Sequence, residues 1–229
     1  LVMPGQPLPA GGIYNSNRFV LNALLRRLGC EVLDLGIVPD SREATRQALR
    51  EAAEGADLII SAGGVSVGEE DHVRPAVEAE GQIDLWRVAI KPGRPLAYGR
   101  GGRHGPEGAR AAVPGSFAHF IGLPGNPVSA YVTFLLFVRP FVLRLQGIQA
   151  VEPQAVTLIS GFDWTNPDRR REFLRAVHLP DGRLGLFRQQ GSAVLTSAVV
   201  GHGLIDNPPG QTIRQGDAVR FLSFAELLN

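Results

Sequence analysis

Ala56–Pro75 reads "ADLIISAGGVSVGEEDHVRP". A short apolar strand at 57–61 runs into Gly63 and Gly64, then into three acids, Glu69, Glu70 and Asp71, and a His. Continuous apolar runs suit strands covered on both faces, as in a parallel sheet. A glycine turn after such a strand lets backbone N–H groups approach a ligand closely, and helix starts favour anions. The three acids are hard oxygen ligands of the kind magnesium takes. The stretch therefore describes either a loop that wraps an anion and holds a metal, or a plain strand-to-helix turn with a capped helix. It matches neither the Walker A loop nor the dinucleotide fingerprint, so its neighbours must decide.

Upstream, "NSNRFVLNALLRRLG" has Phe19, Leu21, Leu24, Leu25 and Leu28 at helical spacing, with Asn15 or Ser16 as cap and Gly29 as stop. "CEVLDLGIV" reads as a strand and "PDSREATRQALREAAEG" as a second helix capped by Asp40 or Ser41. Downstream come a short helix in "HVRPAVEAEG", two extended runs around Lys91-Pro92-Gly93-Arg94-Pro95, and a Gly-rich exposed loop, "RGGRHGPEGARAAVPG". A strand in "SFAHFIGLPG" and a long helix from Asn126 and Pro127 follow, the helix to be kinked or interrupted at Pro140. This alternation over residues 13–147 predicts an α/β class, a three-layer α/β/α arrangement with a mostly parallel sheet. From about 151 the pattern becomes short extended runs, "AVTLIS", "EFLRAVHL", "GRLGLFRQ" and "AVRFLSF", which predicts a small all-β, barrel-like second domain. The domains are placed at 1–148 and 149–229.

The 229 residues carry a net charge of +1, so no bulk field points to nucleic acid or a membrane surface. The single cysteine, Cys30, rules out a disulfide framework and a cysteine-built zinc site within the chain, and fits a reducing cytoplasm. The longest apolar candidate, "YVTFLLFVRPFVLRLQG", is broken by Arg139 and Pro140 and falls short of the ~20 residues that span a bilayer. The opening "LVMPGQPLPAGG" has no initiating Met, and the chain is expected to be a fragment.

Three turns carry the chemistry: "SAGGVSVGEED", "IKPGRP" and "GLPGNPVS". In open α/β sheets, ligands sit at the carboxyl ends of strands. Lys91 and Arg94 add positive charge in a turn stiffened by Pro92 and Pro95, and both side chains suit oxyanions. Together with Asp40, Glu69, Glu70 and Asp71 they describe a site for a phosphorylated ligand with a divalent ion.

"GGIYNSNRFVLNALLRRLG", "DLGIVPD", "SAGGVSVGEEDHV", "VAIKPGRPLAYG" and "GLPGNPVSAYVTF" closely resemble the molybdopterin molybdenumtransferase family, the molybdenum insertion enzymes to which gephyrin's E domain belongs. "REFLRA" and "QQGSAVLTS" are weaker anchors to the family's small C-terminal β domain. The resemblance implies a transferase that takes adenylylated molybdopterin and molybdate, with Mg²⁺, and releases molybdenum cofactor and AMP. Ser61, Gly63, Gly64, Val65, Ser66 and Gly68 would hold the nucleotide and pterin phosphate, with Pro124, Gly125, Asn126 and Pro127 of the later turn. Asp40 and Asp71 would serve the magnesium and, with Lys91 and Arg87, the catalytic centre. Lys91, Arg94, Pro95 and Ser129 would take molybdate, completed by Arg175 and Ser192. Arg87 and Arg94 stand where the family commonly has Lys. The family also has a strand and an acidic turn before residue 1, two further N-terminal domains, and an active site built across a dimer. A homodimer is therefore expected, with contact to the pathway's adenylyltransferase and none to nucleic acid or membrane.

Two other functions compete: a non-catalytic molybdopterin-binding or scaffold module, and an adenylyltransferase or amidase-like enzyme on the same α/β layer. Elsewhere the plainer readings hold. "RRRE" at 169–172 reads most simply as a solvated charge run, with a turn beside the anion site as the alternative, Trp86 and Trp164 are packing residues, and Asp34 either supports Asp40 or caps a turn. His72, after the acidic cluster, is read as a solvated residue rather than a ligand or proton shuttle; His104 and His119 have no partner motif and are read as structural or exposed; His178 and His202 have no metal spacing around them.

Overall fold

A computed structural model describes residues 1–65, 72–102 and 117–228 of the chain. Ser66, Gly68, Glu69, Glu70 and Asp71, and the loop at 103–116, lie outside the described residues. The elements in order are α1 (Asn17–Arg27), α2 (Arg42–Gly55), β1 (Leu58–Ala62), α3 (Val73–Glu80), β2 (Gly81–Trp86), β3 (Ile90–Lys91), β4 (Ala97–Gly102) and β5 (Phe117–Leu123). Then come α4 (Pro127–Thr133), a π-helical segment (Phe134–Val138), α5 (Arg139–Leu145), β6 (Val156–Ile159), β7 (Arg171–His178), β8 (Leu184–Leu186), α6 (Thr196–Val200), β9 (Gly203–Asn207), β10 (Ala218–Ser223) and α7 (Phe224–Leu227).

Packing divides the chain into two compact units, Leu1–Arg87 with Pro95–Gly125, and Val88–Arg94 with Asn126–Asn229. This division differs from a cut at 148/149. The long helix and the short segment holding Lys91 both pack with the β-rich part, because β3 pairs with β7 and α4 lies against Gly93.

The first unit has a four-stranded sheet in the order β1-β5-β4-β2. The α/β class is borne out, but the described sheet is mixed: β1 and β5 are parallel, while β4 pairs antiparallel with β5 and with β2. β2 and β4 are joined by the short stretch 87–96, too short for the crossover helix a parallel pair requires. Val65, Val77, Ala97 and Phe120 form the core beneath Leu49 and Ile59. The α2 helix starts on Ser41, whose hydroxyl accepts from the Ala44 N–H. Arg46 and Arg50 of α2 both clamp Glu80 at the end of α3, at 2.7 Å each, fixing the two helices against one another. The expected strand "CEVLDLGIV" is not one. A strand exists where a neighbouring strand takes up its N–H and C=O groups; no described strand pairs with 31–38, and Leu33, Leu35 and Ile37 are exposed.

The second unit is built on a six-stranded sheet, β3-β7-β9-β10-β6, with β8 added on β7. Apart from the parallel β3–β7 pair its ladders are antiparallel, and among the described residues no ladder closes it into a barrel, although an isolated parallel bridge between Ser160 and Leu184 joins the end of β6 to β8. Leu174, Ala176, Leu184, Ile205, Ile213 and Phe221 fill its core. The fully buried β9 was not among the strands expected from the sequence. Asp206 is accommodated between Arg171, at 2.6 Å, and Arg220, at 3.2 Å.

The expected break at Pro140 takes the form of the π segment. Proline lacks an N–H and crowds the carbonyl one turn back, and the wider turn absorbs both effects. Pro127–Leu145 is thereby continuous, and by length and composition alone it could cross a membrane. Most of it is buried inside the protein, and the buried Arg139 bonds to the carbonyl of Val151, as in a core helix.

Candidate functional site

In the first unit, the parallel β1–β5 ladder ends with Ala62 opposite Leu123, so two of the three suspected turns leave neighbouring strands at the same edge. The Gly63 N–H donates to the Leu123 carbonyl at 2.9 Å. Gly63 and Gly64 have φ of +97° and +70°, a region that favours glycine. The two turns touch through backbone: a Cβ on Gly125 would lie 3.6 Å from the Gly63 Cα. Asn17, at the start of α1, ties in by donating to the Gly125 carbonyl at 2.8 Å. Sequence reasoning missed Asn17, although its place in the first motif was a signal. The hydroxyl of Ser61 is buried with no hydrogen-bond partner among the described residues. A buried hydroxyl left without a partner beside a glycine turn fits an anionic ligand. Val65 contributes differently from expectation. It is 2% exposed and its side chain enters the core, so only its backbone could face a ligand.

Asp40 is exposed just ahead of α2. Among the described residues no group of three or more His, Cys, Asp or Glu side chains could hold a metal, so the described donors amount to one carboxylate and do not form a magnesium site by themselves. Asp34 is bound elsewhere. It pairs with Arg18 at 2.8 Å and accepts from the Gly36 N–H, and the Arg18 bond holds its carboxyl below the ordinary range. Arg87 is exposed with φ +135°, and Pro95 also belongs to the first unit.

The second unit gathers Lys91, Arg94, Ser129, Arg175 and Ser192, with Asn126 and Pro127 opening α4. The 88–94 loop is closed by the Val88 N–H donating to the Arg94 carbonyl at 3.2 Å. Its Gly93 packs on α4, where a Cβ would lie 2.4 Å from the Thr133 methyl. The carbonyl of Ser192 takes the otherwise open N–H of Val128 at the α4 start, next to buried Ser129. Arg175 is 2% exposed. Its guanidinium donates only to the carbonyls of Phe173 and Gly191, its Nε has no partner, and among the described residues it has no carboxylate to balance it. Burial pulls its pKa down to about 10, which still leaves it a cation at neutral pH. A buried charge without a counter-charge is costly, and an oxyanion would relieve it.

The "RRRE" run is solvated only in part: Arg169 and Arg171 are exposed. Glu172 is fully buried, Arg170 binds Asp168 at 2.8 Å and Arg171 binds Asp206. Trp164 packs against the core as expected and donates its indole N–H to Glu172 at 2.8 Å. Bonds from Arg170 hold the Asp168 carboxyl far below its ordinary 3.8. The stability it contributes is therefore present above pH 3.8 and is lost as pH falls from there towards the depressed folded-state value. Urea unfolding of Asp168→Asn against the unchanged protein should show a shallower loss of stability below pH 4 in the variant. Equal acid sensitivity would refute this assignment.

The family described as the probable molybdopterin binding domain matches residues 2–144, and the MoeA C-terminal region (domain IV) matches 157–224. A molybdopterin molybdenumtransferase of Haemophilus influenzae is 46% identical over 64% of this chain and 33% of its own length. One from Nostoc sp. is 34% identical over 84% of this chain and 42% of its own. The molybdenum cofactor synthesis protein cinnamon of Drosophila melanogaster is 33% identical over 93% of this chain and 34% of its own. The chain thus spans well under half the length of these relatives. The crystal structure of a molybdopterin biosynthesis MoeA protein from Pyrococcus horikosii superposes with a TM-score of 0.76 at 24% identity, covering 97% of this chain and 51% of that one, and establishes a shared fold. The paired glycine turns of the first unit and the unbalanced cation of the second thus lie in a chain that belongs to the molybdopterin binding domain family, followed by the C-terminal region of MoeA proteins.

Proposed function

We propose that this chain carries the ligand-handling part of a molybdopterin molybdenumtransferase: it inserts molybdate into adenylylated molybdopterin and AMP leaves. The observation that carries this reading is Arg175, a buried guanidinium with carbonyl partners and no carboxylate among the described residues. Such a group awaits an oxyanion, and molybdate is a tetrahedral dianion. Lys91, Arg94 and Ser129 would share its oxygens, with Ser192 holding the α4 start. The glycine turns at Gly63–Gly64 and Pro124–Gly125, with the Ser61 hydroxyl, would receive the phosphates. Fixed N–H groups and cations stabilise charge on the departing phosphate. Mg²⁺ would need Asp40 together with Asp71, and would supply further charge neutralisation when bound. Arg87 would face the same ligand as a fork of donors. The domain boundary proposed at 148/149 falls between the two family matches. A homodimer and contact with the adenylyltransferase of the pathway belong to the same proposal.

The test is molybdate-dependent AMP release from adenylylated molybdopterin by the full-length protein. Release that rises with molybdate is the expected result. Tight binding of molybdopterin without release would replace the transferase with a scaffold, and absence of binding would remove both.

A further inference from the structure

Lys91 is the only lysine among the 229 residues; the other 22 basic side chains are all arginine. The parallel β3–β7 ladder sets it directly opposite Glu172. Its ammonium lies 3.2 Å from Glu172 Oε1 and 3.5 Å from Asp168 Oδ2. Glu172 divides its two oxygens. Oε2 accepts from the Trp164 indole at 2.8 Å and from the Asp168 backbone N–H at 3.1 Å, with the Asn207 amide at 3.5 Å. Oε1 faces Lys91. One oxygen thus ties the fully buried carboxylate to the indole and backbone beside it, and the other reaches the half-exposed cation.

We propose that Glu172 is a positioning residue that fixes the Lys91 ammonium for the oxyanion. The inference deepens the transferase reading and rests on it. An ammonium has three N–H donors; two can face Glu172 and Asp168, which leaves one for a ligand oxygen. An arginine here would meet the carboxylate with its planar fork and spend its donors there. That explains why the compact cation stands at this one position in a chain otherwise supplied with guanidinium groups.

The buried carboxylate also repels an anion. Its loss should therefore lower turnover without weakening oxyanion binding, a split that a mere structural role would not give. Glu172→Gln is a selective probe. Its amide oxygen can keep the Trp164 and Asp168 donors while its NH₂ group turns towards Lys91. In the full-length protein, kcat should fall about tenfold, the cost of a misplaced group, with KM for molybdate unchanged or lower. Acylation of the Lys91 amine, followed by peptide mass spectrometry, should become several-fold faster, while the Trp164 indole N–H resonance stays in place. In a Lys91→Ala background the same substitution should cost nothing further, because its effect passes through Lys91. An unchanged kcat and labelling rate, a raised KM with unchanged kcat, or a full tenfold cost without Lys91 would each overturn the proposal. If the indole resonance shows that Glu172→Gln misfolds, Lys91→Arg carries the test: a loss of kcat supports the proposal and full kcat overturns it. The transferase reading fails separately, if the unchanged full-length protein gives no molybdate-dependent AMP release.

Discussion

Lys91→Ala in the full-length protein should reduce molybdate-dependent AMP release about a hundredfold or more, the usual cost of removing one preorganised donor to an oxyanion. The fold should survive. Lys91 is 43% exposed at its side chain, so little packing is lost. Glu172 would keep its bonds from the Trp164 indole and the Asp168 N–H, so its buried carboxylate is not left bare. Thermal unfolding within a few degrees of the unchanged protein, together with the collapse in turnover, is the expected pair of results. Normal turnover would remove Lys91 from the site, and with it the oxyanion turn.

Gly93→Ala should destabilise the protein by about 2–4 kcal/mol, combining a strained positive φ with overpacking. Gly93 has φ +114°, and a methyl there would lie 2.4 Å from the Thr133 Cγ2, in a helix residue that is fully buried. The two causes can be separated. Gly147 has φ +88° with nothing within 4 Å of its missing Cβ, so Gly147→Ala carries the backbone cost alone. Thr133→Ser removes the clashing methyl and keeps the hydroxyl that donates to the Ser129 carbonyl at 2.7 Å, so it should rescue part of the loss in Gly93→Ala. Guanidinium midpoints at constant slope measure all three. A loss in Gly93→Ala no larger than in Gly147→Ala would show that the turn is not wedged on α4. Because the same turn holds Lys91, turnover should fall together with stability in Gly93→Ala and return with it in the double variant.

Much of this was legible along the chain because the signals are local. The glycine pair at 63–64 announces a positive-φ turn, Ser41 announces the start of α2, and Asn126-Pro127 announces the start of α4. Apolar runs at 57–61 and in "SFAHFIGL" marked the two strands that prove parallel neighbours. The motif order also carried the family, which the match over 2–144 establishes.

The failures share one cause: they concern partners distant in sequence. "CEVLDLGIV" has the composition of a strand, but a strand is a relation between two segments. β9 was not among the expected strands, and its Asp206 is buried between Arg171 and Arg220, partners far along the chain. "RRRE" looked solvated because nothing local shows that β7 buries Glu172 beneath Trp164.

By itself, then, the sequence determined the turn chemistry, the helix starts, the α/β character of the first part and the family, since each depends on residues a few positions apart. Only the tertiary structure decided that Lys91 packs with the β-rich unit, that Val65 points into a core, that Arg175 is buried without a balancing carboxylate among the described residues, and that Glu172 stands behind the one lysine. Those facts come from ladders and burial joining residues as far apart as 91 and 172, and a buried charge acquires its meaning only from what surrounds it.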